Sequence, residues 1–263
     1  MTVSRLQGNV AVVTGAGSSG PGVGIGRASA VAMAREGAVA ILVDRDRTSA
    51  EETRELILST GGEAVVMECD VTDAAECGEL ATRVTEEYGQ LDVLMNNVGV
   101  LGAGGSALEA DLDDWDRVMA VNVKSMLQMA RACLPAMIRQ GRGSIVNVSS
   151  LAGMEGGHPN LAYATSKGAV VQLTRALAAD HGRDGVRVNC IAPGLVHTPM
   201  VAGDMTPEAR DHRRRQSLLQ TEGTAWDVAC AAVFFASAES SWITGVVLPV
   251  DGGASAANPT RYG

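Results

Sequence analysis

The chain has 263 residues, 46% of them hydrophobic, which is enough to bury one sizeable core or two small ones. Its formal net charge of −9 argues against general affinity for nucleic acid or for an anionic membrane, since both would repel most of the surface. The five cysteines include no close CxxC pair, which predicts reduced thiols in a cytoplasmic protein and no metal site. No apolar run approaches the roughly 20 residues that a membrane helix needs, so we expect a soluble protein.

Short β-branched apolar runs alternate with amphipathic or alanine-rich stretches, which is the pattern of repeated βαβ units. The predicted strands cover residues 10–14, 39–44, 64–68, 93–96, 144–149, 186–191 and 246–250. A helix is predicted between the first two strands, over about 24–36, and the other gaps have room for crossover helices. The pattern predicts an α/β Rossmann fold with a doubly wound, seven-stranded parallel sheet and helices on both faces.

No linker, internal repeat or change of composition divides the chain, so we expect one domain over 1–263. A nucleotide-binding half would cover about 8–100, a catalytic and substrate half about 101–253, and a tail 254–263. The segment 200–220 is unusual because it is polar and charged. Within it, Thr206, Pro207 and Glu208 predict the cap and first turn of a short surface helix.

A glycine-rich loop follows the first predicted strand. It begins at Gly15 and enters the next helix with Gly24, Ile25 and Gly26. Glycines there let the backbone approach a pyrophosphate, and the N-terminus of the helix supplies N–H donors and a favourable dipole. The loop therefore predicts a nucleotide site, although a glycine-rich turn without a ligand remains an alternative.

Acidic residues at the ends of the next two strands indicate which nucleotide binds. Asp44 ends the second strand, where a Rossmann unit places a carboxylate to accept hydrogen bonds from the adenosine ribose. A 2′-phosphate would be repelled there, so Asp44 favours NAD, although Arg45 and Arg47 would partly compensate. Asp70 and Val71, after the third strand, are predicted to lie on the same edge and to hold the adenine.

An ordered set of motifs runs through almost the whole chain. They are the Thr14-Gly15 glycine-rich loop, Asn96-Asn97-Val98-Gly99, Asn122, Ser149-Ser150, Tyr163-x-x-x-Lys167, Pro193-Gly194 with Thr198, and Val250-Asp251-Gly252-Gly253. In this order they resemble the short-chain dehydrogenase/reductase family, in its compact single-domain branch. The resemblance implies an NAD(P)-dependent oxidoreductase and a homotetramer that uses the long helices around 113–140 and 160–181 together with the C-terminal helix and strand.

The resemblance also implies which residues are catalytic. The family's serine typically lies 13 residues before the tyrosine, which selects Ser150 over Ser149. Tyr163 and Lys167 are four residues apart and so share a helix face. Asn122 is expected to kink the preceding helix and to anchor a water relay to the lysine.

The residue types explain this chemistry. A free tyrosine has a pKa of about 10 and is a poor base at neutral pH, but a nearby ammonium such as Lys167 is expected to lower that pKa. Tyr163 would then take the proton of an alcohol, or donate a proton to a ketone. Ser150 would hold the same substrate oxygen as charge develops on it.

Weaker expectations follow for the remaining cofactor contacts. The resemblance implies that Val196 and Thr198 contact the nicotinamide carboxamide and that Asn97 and Gly99 pack beside the cofactor ribose. The glycine-rich loop departs from the family pattern, because eight residues rather than three separate Gly15 from Gly24. We place the insertion at 17–23, as either an enlarged loop over the cofactor or a surface bulge.

Substrate identity is left open by the sequence. Residues 153–160 and 200–220 are implied to form the substrate wall and lid, with Glu155 and His158 as possible polar contacts or, more simply, solvent-facing residues. Arg210, His212, Arg213, Arg214 and Arg215 form a dense basic cluster. It would either attract an anionic substrate or form a solvated helix face paired with Glu208 and Asp211, and we favour the second interpretation.

The sequence therefore predicts an NAD-dependent oxidoreductase that interconverts a small secondary alcohol and a ketone, with Tyr163 as general acid and base. One alternative is an NADPH-dependent 3-oxoacyl-thioester reductase, which Asp44 disfavours. Another is a non-catalytic nucleotide-sensing protein, which would not need the four catalytic residues.

Overall fold

The computed structural model describes residues 4–203 and 205–256, apart from the side chain of Ala202. The end of the predicted tail, 257–263, lies outside the described residues. In chain order the elements are β1 (Val10–Thr14), α1 (Ile25–Arg35), β2 (Val39–Asp44), α2 (Arg47–Leu58), β3 (Glu63–Glu68), α3 (Ala74–Tyr88), β4 (Val93–Asn96), α4 (Leu112–Met119), a π-helical turn (Ala120–Lys124), α5 (Ser125–Gln140), β5 (Gly143–Val148), α6 (Leu161–His181), β6 (Val186–Pro193), β7 (Val196–His197), α7 (Pro199–Ala202), α8 (Pro207–Arg215), β8 (Gly223–Thr224), α9 (Ala225–Ala236) and β9 (Val247–Val250).

Seven strands form one parallel sheet in the order β3-β2-β1-β4-β5-β6-β9, while β7 and β8 pair separately. The prediction of a doubly wound, seven-stranded parallel sheet is confirmed. Each predicted strand is present, three with the predicted bounds and the others with ends that differ by one or two residues; β6 continues to Pro193, for example. Strand ends are the least determined part of such a pattern because hydrogen bonding, not side-chain type, decides where pairing stops.

Helices cover both faces of the sheet because the strands are apolar on both sides. Alternate residues of β1 point to opposite faces: Ala11 and Val13 pack into a core with α1, α2 and α9. Val10 and Val12 pack into a second core with α3, α5 and α6. This two-sided burial explains why the strands appear in the sequence as continuous apolar runs. Within the described part of the chain, no helix is long and apolar enough to cross a membrane.

The strand order reverses between β1 and β4, which are neighbours although β2 and β3 separate them in the chain. Crossovers on the two sides of this point run in opposite directions, so a crevice opens at the carboxyl ends of the strands. The loops that follow β1, β2, β3, β4, β5 and β6 all reach this edge. The fold therefore brings the predicted nucleotide and catalytic residues to the same side of the sheet.

Candidate active site

The glycine-rich loop leaves β1 and turns into α1 at the sheet edge. Gly15 has a φ of +64°, in the left-handed region that favours glycine. A side chain on Gly26 would collide with the Gly15 carbonyl oxygen, so the entry to α1 depends on glycine. Gly24 caps α1 without a side-chain hydrogen bond, and the first turn contains no acidic residue. The N–H groups that open this helix are therefore suited to an anion.

The inserted residues 17–23 fold against α2. The backbone N–H of Ser18 donates to Ser49 Oγ at 2.7 Å, and Ser49 Oγ donates to the Ser18 carbonyl at 3.1 Å. The buried Arg27 reaches the Gly22 carbonyl at 3.3 Å. The insertion is thus anchored by hydrogen bonds near both ends, and its place over the cofactor stays a prediction.

The carboxylate of Asp44 lies beside this loop at the end of β2. Its Oδ2 accepts a hydrogen bond from the Gly17 N–H at 2.9 Å, and its Oδ1 accepts one from the Asp46 N–H at 3.0 Å. Each oxygen keeps further acceptor capacity, because a carboxylate has about four lone-pair sites. Asp44 therefore fixes the loop and still offers acceptors to the cleft.

The residues after β3 and β4 complete the nucleotide side. Asp70 Oδ1 accepts hydrogen bonds from the backbone N–H and the hydroxyl of Thr72, and these bonds lower the pKa of Asp70. Asn97 donates from Nδ2 to the carbonyl oxygens of Thr14 and Gly15 at 3.3 and 3.2 Å. The side chain of Asn97 thus ties the end of β4 to the glycine-rich loop.

The two serines after β5 point in different directions. Ser149 is buried, and its hydroxyl donates to the carbonyl of Lys167 at 2.7 Å. Ser150 is only partly buried and lines the cleft, where its hydroxyl accepts a hydrogen bond from the Ala152 N–H at 3.2 Å. Ser149 thus fastens β5 to α6, which leaves Ser150 as the hydroxyl available to a substrate.

Helix α6 is positioned at its start by Asn160. The side chain of Asn160 accepts a hydrogen bond from the Tyr163 N–H at 2.9 Å and donates to the carbonyl of Leu101 at 2.6 Å. A side chain on Gly153 would collide with the backbone at Lys167, so glycine lets the turn after β5 pack directly on α6. These contacts fix the turn of α6 that carries Tyr163.

Lys167 is buried and lies under Tyr163. Its Nζ donates to the carbonyl of Val148 at 3.0 Å and lies 5.7 Å from the centroid of the Tyr163 ring. Burial lowers the pKa of Lys167 to about 8. The lysine thus titrates near neutral pH.

The tyrosine pKa moves in the direction opposite to the one expected. Burial raises the pKa of Tyr163 above its ordinary value, and the hydrogen bond with Ser150 opposes this rise without reversing it. The expected net lowering of the tyrosine pKa is therefore absent in this structure, where desolvation by burial is the largest influence on Tyr163. Tyr163 is held mainly in its protonated form, ready to donate a proton.

Asn122 lies behind the cleft rather than in its wall. It is fully buried in the π-helical turn between α4 and α5. Its Oδ1 accepts from the Val100 N–H at 2.8 Å, and its Nδ2 donates to the Val100 carbonyl and to Ser166 Oγ, both at 2.9 Å. The expected disturbance of the helix is present as a π-helical turn, a feature that often marks functional sites.

One cleft of about 1160 Å³ connects these groups. Of the predicted residues, it is lined by Gly15, Gly24, Ile25, Gly26, Asp44, Asp70, Val71, Asn97, Gly99, Ser150, Tyr163, Lys167, Val196 and Thr198. The volume exceeds the roughly 300–1,000 Å³ of a typical small-molecule site, which suits a dinucleotide together with a small substrate.

The lining of the cleft also includes polar residues suited to a substrate. Glu155 and His158 are exposed and also line the cleft, and the His158 ring centroid lies 5.2 Å from that of Tyr163. Arg117 from α4 and Arg213 from α8 line it as well. The favoured interpretation of the basic cluster is thus incomplete, because Asp211 pairs with Arg214 and Arg215 but Arg213 faces the cleft.

Several contributing residues carry no signal in the sequence. Ser49 stands in the middle of an ordinary helical pattern, and Arg27 resembles any basic residue in a first helical turn. Their roles depend on α2 packing beside the inserted loop. Arg213 was part of a recognised cluster, but only the direction in which α8 faces separates it from its neighbours.

The comparisons with known proteins agree with this geometry. A family model described as enoyl-(acyl carrier protein) reductase matches residues 20–255. The chain is 38% identical to 2-(S)-hydroxypropyl-CoM dehydrogenase 3 of Xanthobacter autotrophicus, covering 96% of this chain and 99% of the relative. It is 37% identical to meso-2,3-butanediol dehydrogenase of Serratia marcescens, covering 97% of each.

A solved structure of the same fold also matches this chain. A crystal structure from Burkholderia xenovorans, described as a short-chain dehydrogenase/reductase, has a TM-score of 0.92 and 40% identity, covering 97% of this chain and 99% of that one. The matches span both the glycine-rich loop and the catalytic residues. The chain therefore belongs to the short-chain dehydrogenase/reductase family, whose members are NAD(P)-dependent oxidoreductases that act on CH–OH groups.

Proposed function

We propose that the protein is an NAD-dependent dehydrogenase that interconverts a small secondary alcohol and its ketone, with Tyr163 as general acid and base. The observation that carries this proposal is the single cleft in which Ser150, Tyr163 and Lys167 share a wall with the glycine-rich loop and Asp44. A protein that only senses a nucleotide would need the glycine-rich loop and Asp44 but not the three catalytic side chains.

The residues present fit a nicotinamide dinucleotide. The opening of α1, with no acidic residue in its first turn, would hold the pyrophosphate, Asp44 the adenosine ribose, and Lys167 the second ribose. Val196 and Thr198 line the cleft where the resemblance implies the carboxamide. When bound, the nicotinamide supplies hydride acceptance or donation at its C4 carbon.

The side chains then divide the proton chemistry among them. Ser150 donates a hydrogen bond to the substrate oxygen and stabilises the negative charge that develops there. In ketone reduction, the protonated Tyr163 hydroxyl gives its proton to that oxygen. In alcohol oxidation, the Tyr163 phenolate takes the proton, and the cationic form of Lys167 stabilises the phenolate. Asn122 holds the backbone at Val100 and, through Ser166, the turn of α6 beneath the tyrosine.

Asp44 supports NAD rather than NADP as the cofactor. Its carboxylate lines the cleft beside the glycine-rich loop, where a 2′-phosphate on the adenosine ribose would meet a negative charge. We expect Asp44→Asn to raise the ratio of kcat/KM for NADP to that for NAD by at least about tenfold. A wild-type preference for NADP would overturn this assignment and would favour the thioester reductase.

The deciding experiment measures absorbance at 340 nm with secondary alcohols, hydroxy acids and 3-hydroxyacyl thioesters, using NAD and NADP. Tyr163→Phe should reduce kcat by about a hundredfold or more while the Kd of NADH, followed by its fluorescence, stays within threefold. Tyr88→Phe is the matched control, since Tyr88 ends α3 away from the cleft. Cofactor binding without turnover of any substrate, or full activity of Tyr163→Phe, would contradict the proposal.

We also propose one domain over the whole chain and a cytoplasmic homotetramer. The sheet from β3 to β9 joins the two predicted halves without interruption. Exposed apolar side chains support assembly, including Leu112 at 74% exposure and Trp242 at 98%. Light scattering after size exclusion should give about four times the chain mass, whereas a monomer would contradict the assignment.

A further inference from the structure

Helix α8 carries four arginines, and three of them are paired. Arg210 forms a two-pronged ion pair with Glu222. Arg214 and Arg215 each pair with Asp211, both at 2.7 Å. Each of these three arginines therefore has a carboxylate partner on a solvated surface.

Arg213 differs from its neighbours in both position and pairing. It lines the cleft that holds Ser150 and Tyr163. Among residues 4–203 and 205–256, no carboxylate lies within ion-pair distance of its guanidinium, and the guanidinium donates no hydrogen bond. Burial lowers its pKa, and the attraction of Glu222, which is already engaged by Arg210, only partly opposes that effect. A half-buried arginine without a partner loses hydration without compensation.

We propose that Arg213 binds an anionic group of the substrate, so that the preferred substrate is a secondary alcohol or ketone that also carries a carboxylate or sulfonate. This inference rests on the proposed dehydrogenase function. A guanidinium forms paired, charge-assisted hydrogen bonds with such planar or tetrahedral anions. Because Arg213 lines the same cleft as Tyr163, one small molecule can present its anion to the arginine and its reacting oxygen to the tyrosine.

Two other negative groups compete for Arg213. Glu155 lines the same cleft and has no side-chain hydrogen bond among the described residues. If it approached Arg213, it would neutralise the arginine, and Glu155→Gln would then strengthen binding of an anionic substrate. The cofactor pyrophosphate is the second competitor. We favour the substrate because the pyrophosphate already has the uncapped start of α1.

The test compares matched neutral and anionic substrates. Kinetics with NAD would use 3-hydroxybutanoate and 4-hydroxypentanoate, each against its primary amide, and a secondary alcohol bearing a sulfonate. Wild type should prefer the carboxylates, and Arg213→Met should reduce their kcat/KM by about 10- to 100-fold, mainly through KM. The amides should change by less than about twofold. Arg215→Met is the control, since Arg215 is paired and exposed, and it should leave both series within twofold.

A second measurement does not depend on turnover. Calorimetry of the enzyme–NAD⁺ complex gives the Kd of 4-oxopentanoate and of its amide. Arg213→Met should weaken binding of the carboxylate about 10- to 100-fold and leave the amide unchanged, and Arg213→Lys should recover part of the affinity. Melting curves establish that each variant is folded, and Arg213→Gln replaces Arg213→Met if the latter is not.

The outcomes separate the two proposals. NAD-linked turnover in which wild type treats carboxylate and amide alike overturns the role of Arg213 and leaves the dehydrogenase assignment intact. Absence of turnover with every alcohol, together with Arg213-dependent binding of 4-oxopentanoate, would overturn the dehydrogenase assignment and leave Arg213 as an anion-binding residue. If Arg213→Met instead raises the Kd of NAD with unchanged carboxylate preference, the arginine belongs to the cofactor and the proposal fails.

Discussion

The wall that carries the catalytic residues and the segment that covers the substrate end are held in different ways. Behind the catalytic wall, Asn122, Ser166 and Lys167 are buried, and their polar atoms bond mainly to backbone. Helix α8, by contrast, has no buried residue and is held by ion pairs at its surface. The positions of the catalytic side chains are therefore fixed by buried hydrogen bonds, whereas α8 is held by surface ion pairs that contribute little stability.

This difference corresponds to what each region has to do. Proton transfer requires Ser150 and Tyr163 within a narrow geometry, which buried hydrogen bonds supply. Substrate selection requires only that a few side chains face the cleft, and a surface helix can change those without disturbing the core. Perturbing each region should therefore produce effects of different size and kind.

The largest expected effect comes from pH, because it acts directly on the catalytic wall. Burial raises the Tyr163 pKa, so the phenolate needed for alcohol oxidation is scarce at neutral pH. We expect kcat for oxidation to rise about tenfold per pH unit from neutrality to about pH 8 and less steeply above it, because Lys167, whose cation stabilises the phenolate, has a pKa of about 8. Ketone reduction needs the protonated form and should stay level, then fall only above the raised pKa. An oxidation rate that is flat from neutral to alkaline pH would show that the tyrosine ionises far more easily than its burial indicates.

Removing the amide of Asn122 should have the next largest effect. Asn122→Ala leaves the N–H and carbonyl of Val100 without their buried partners, which should cost about 2–4 kcal/mol of unfolding free energy. We also expect kcat to fall about 10- to 100-fold, because α6 loses a contact beneath Tyr163. Denaturant unfolding and steady-state kinetics measure the two quantities.

Asn147→Ala is the matched control for Asn122→Ala. Asn147 is equally buried and bonds to Asn96 and Thr174, but it does not line the cleft or touch the turn that carries Tyr163. It should destabilise the protein by a similar amount with a much smaller loss of kcat. Equal losses of kcat in the two variants would mean that Asn122 acts only through stability.

The smallest effect is expected on the surface segment. Glu222→Gln breaks the ion pair with Arg210, which is partly exposed to solvent. Exposed pairs contribute little, so we expect the melting temperature to shift by less than about 2 °C and kcat/KM for a neutral alcohol by less than twofold. A larger loss of activity would show that the position of α8 is fixed as firmly as the catalytic wall, and the contrast between the regions would disappear.

The strands and the edge at which the site forms were predictable from the sequence. Each strand is an apolar run bounded by turns, and in a doubly wound sheet every strand places its carboxyl end at one edge. The placement of Asp44, Asp70 and Tyr163 in one cleft follows from that rule and from the motif spacing. The roles assigned to these residues in catalysis and binding stay predictions until the experiments are done.

Other features depend on distances that a sequence does not contain. The direction of the Tyr163 pKa shift was predicted wrongly because its largest cause is burial, which is a property of the folded chain. The anchoring of the inserted loop by Ser49 and Arg27 requires two helices to be neighbours. The orientation of Arg213 depends on which face α8 turns to the cleft.

The π-helical turn at Ala120–Lys124 places a limit on how this chain can change its length. A residue contributes about 100° of rotation to an α-helix. Deleting one residue in the turn would rotate everything after it relative to α4. Met129, Cys133 and Met137, now buried in one core, would move out of it together. The position of Asn122 in the sequence and the apolar face of α5 are therefore linked by helical register. A deletion that moves one of them relative to α4 also moves the other.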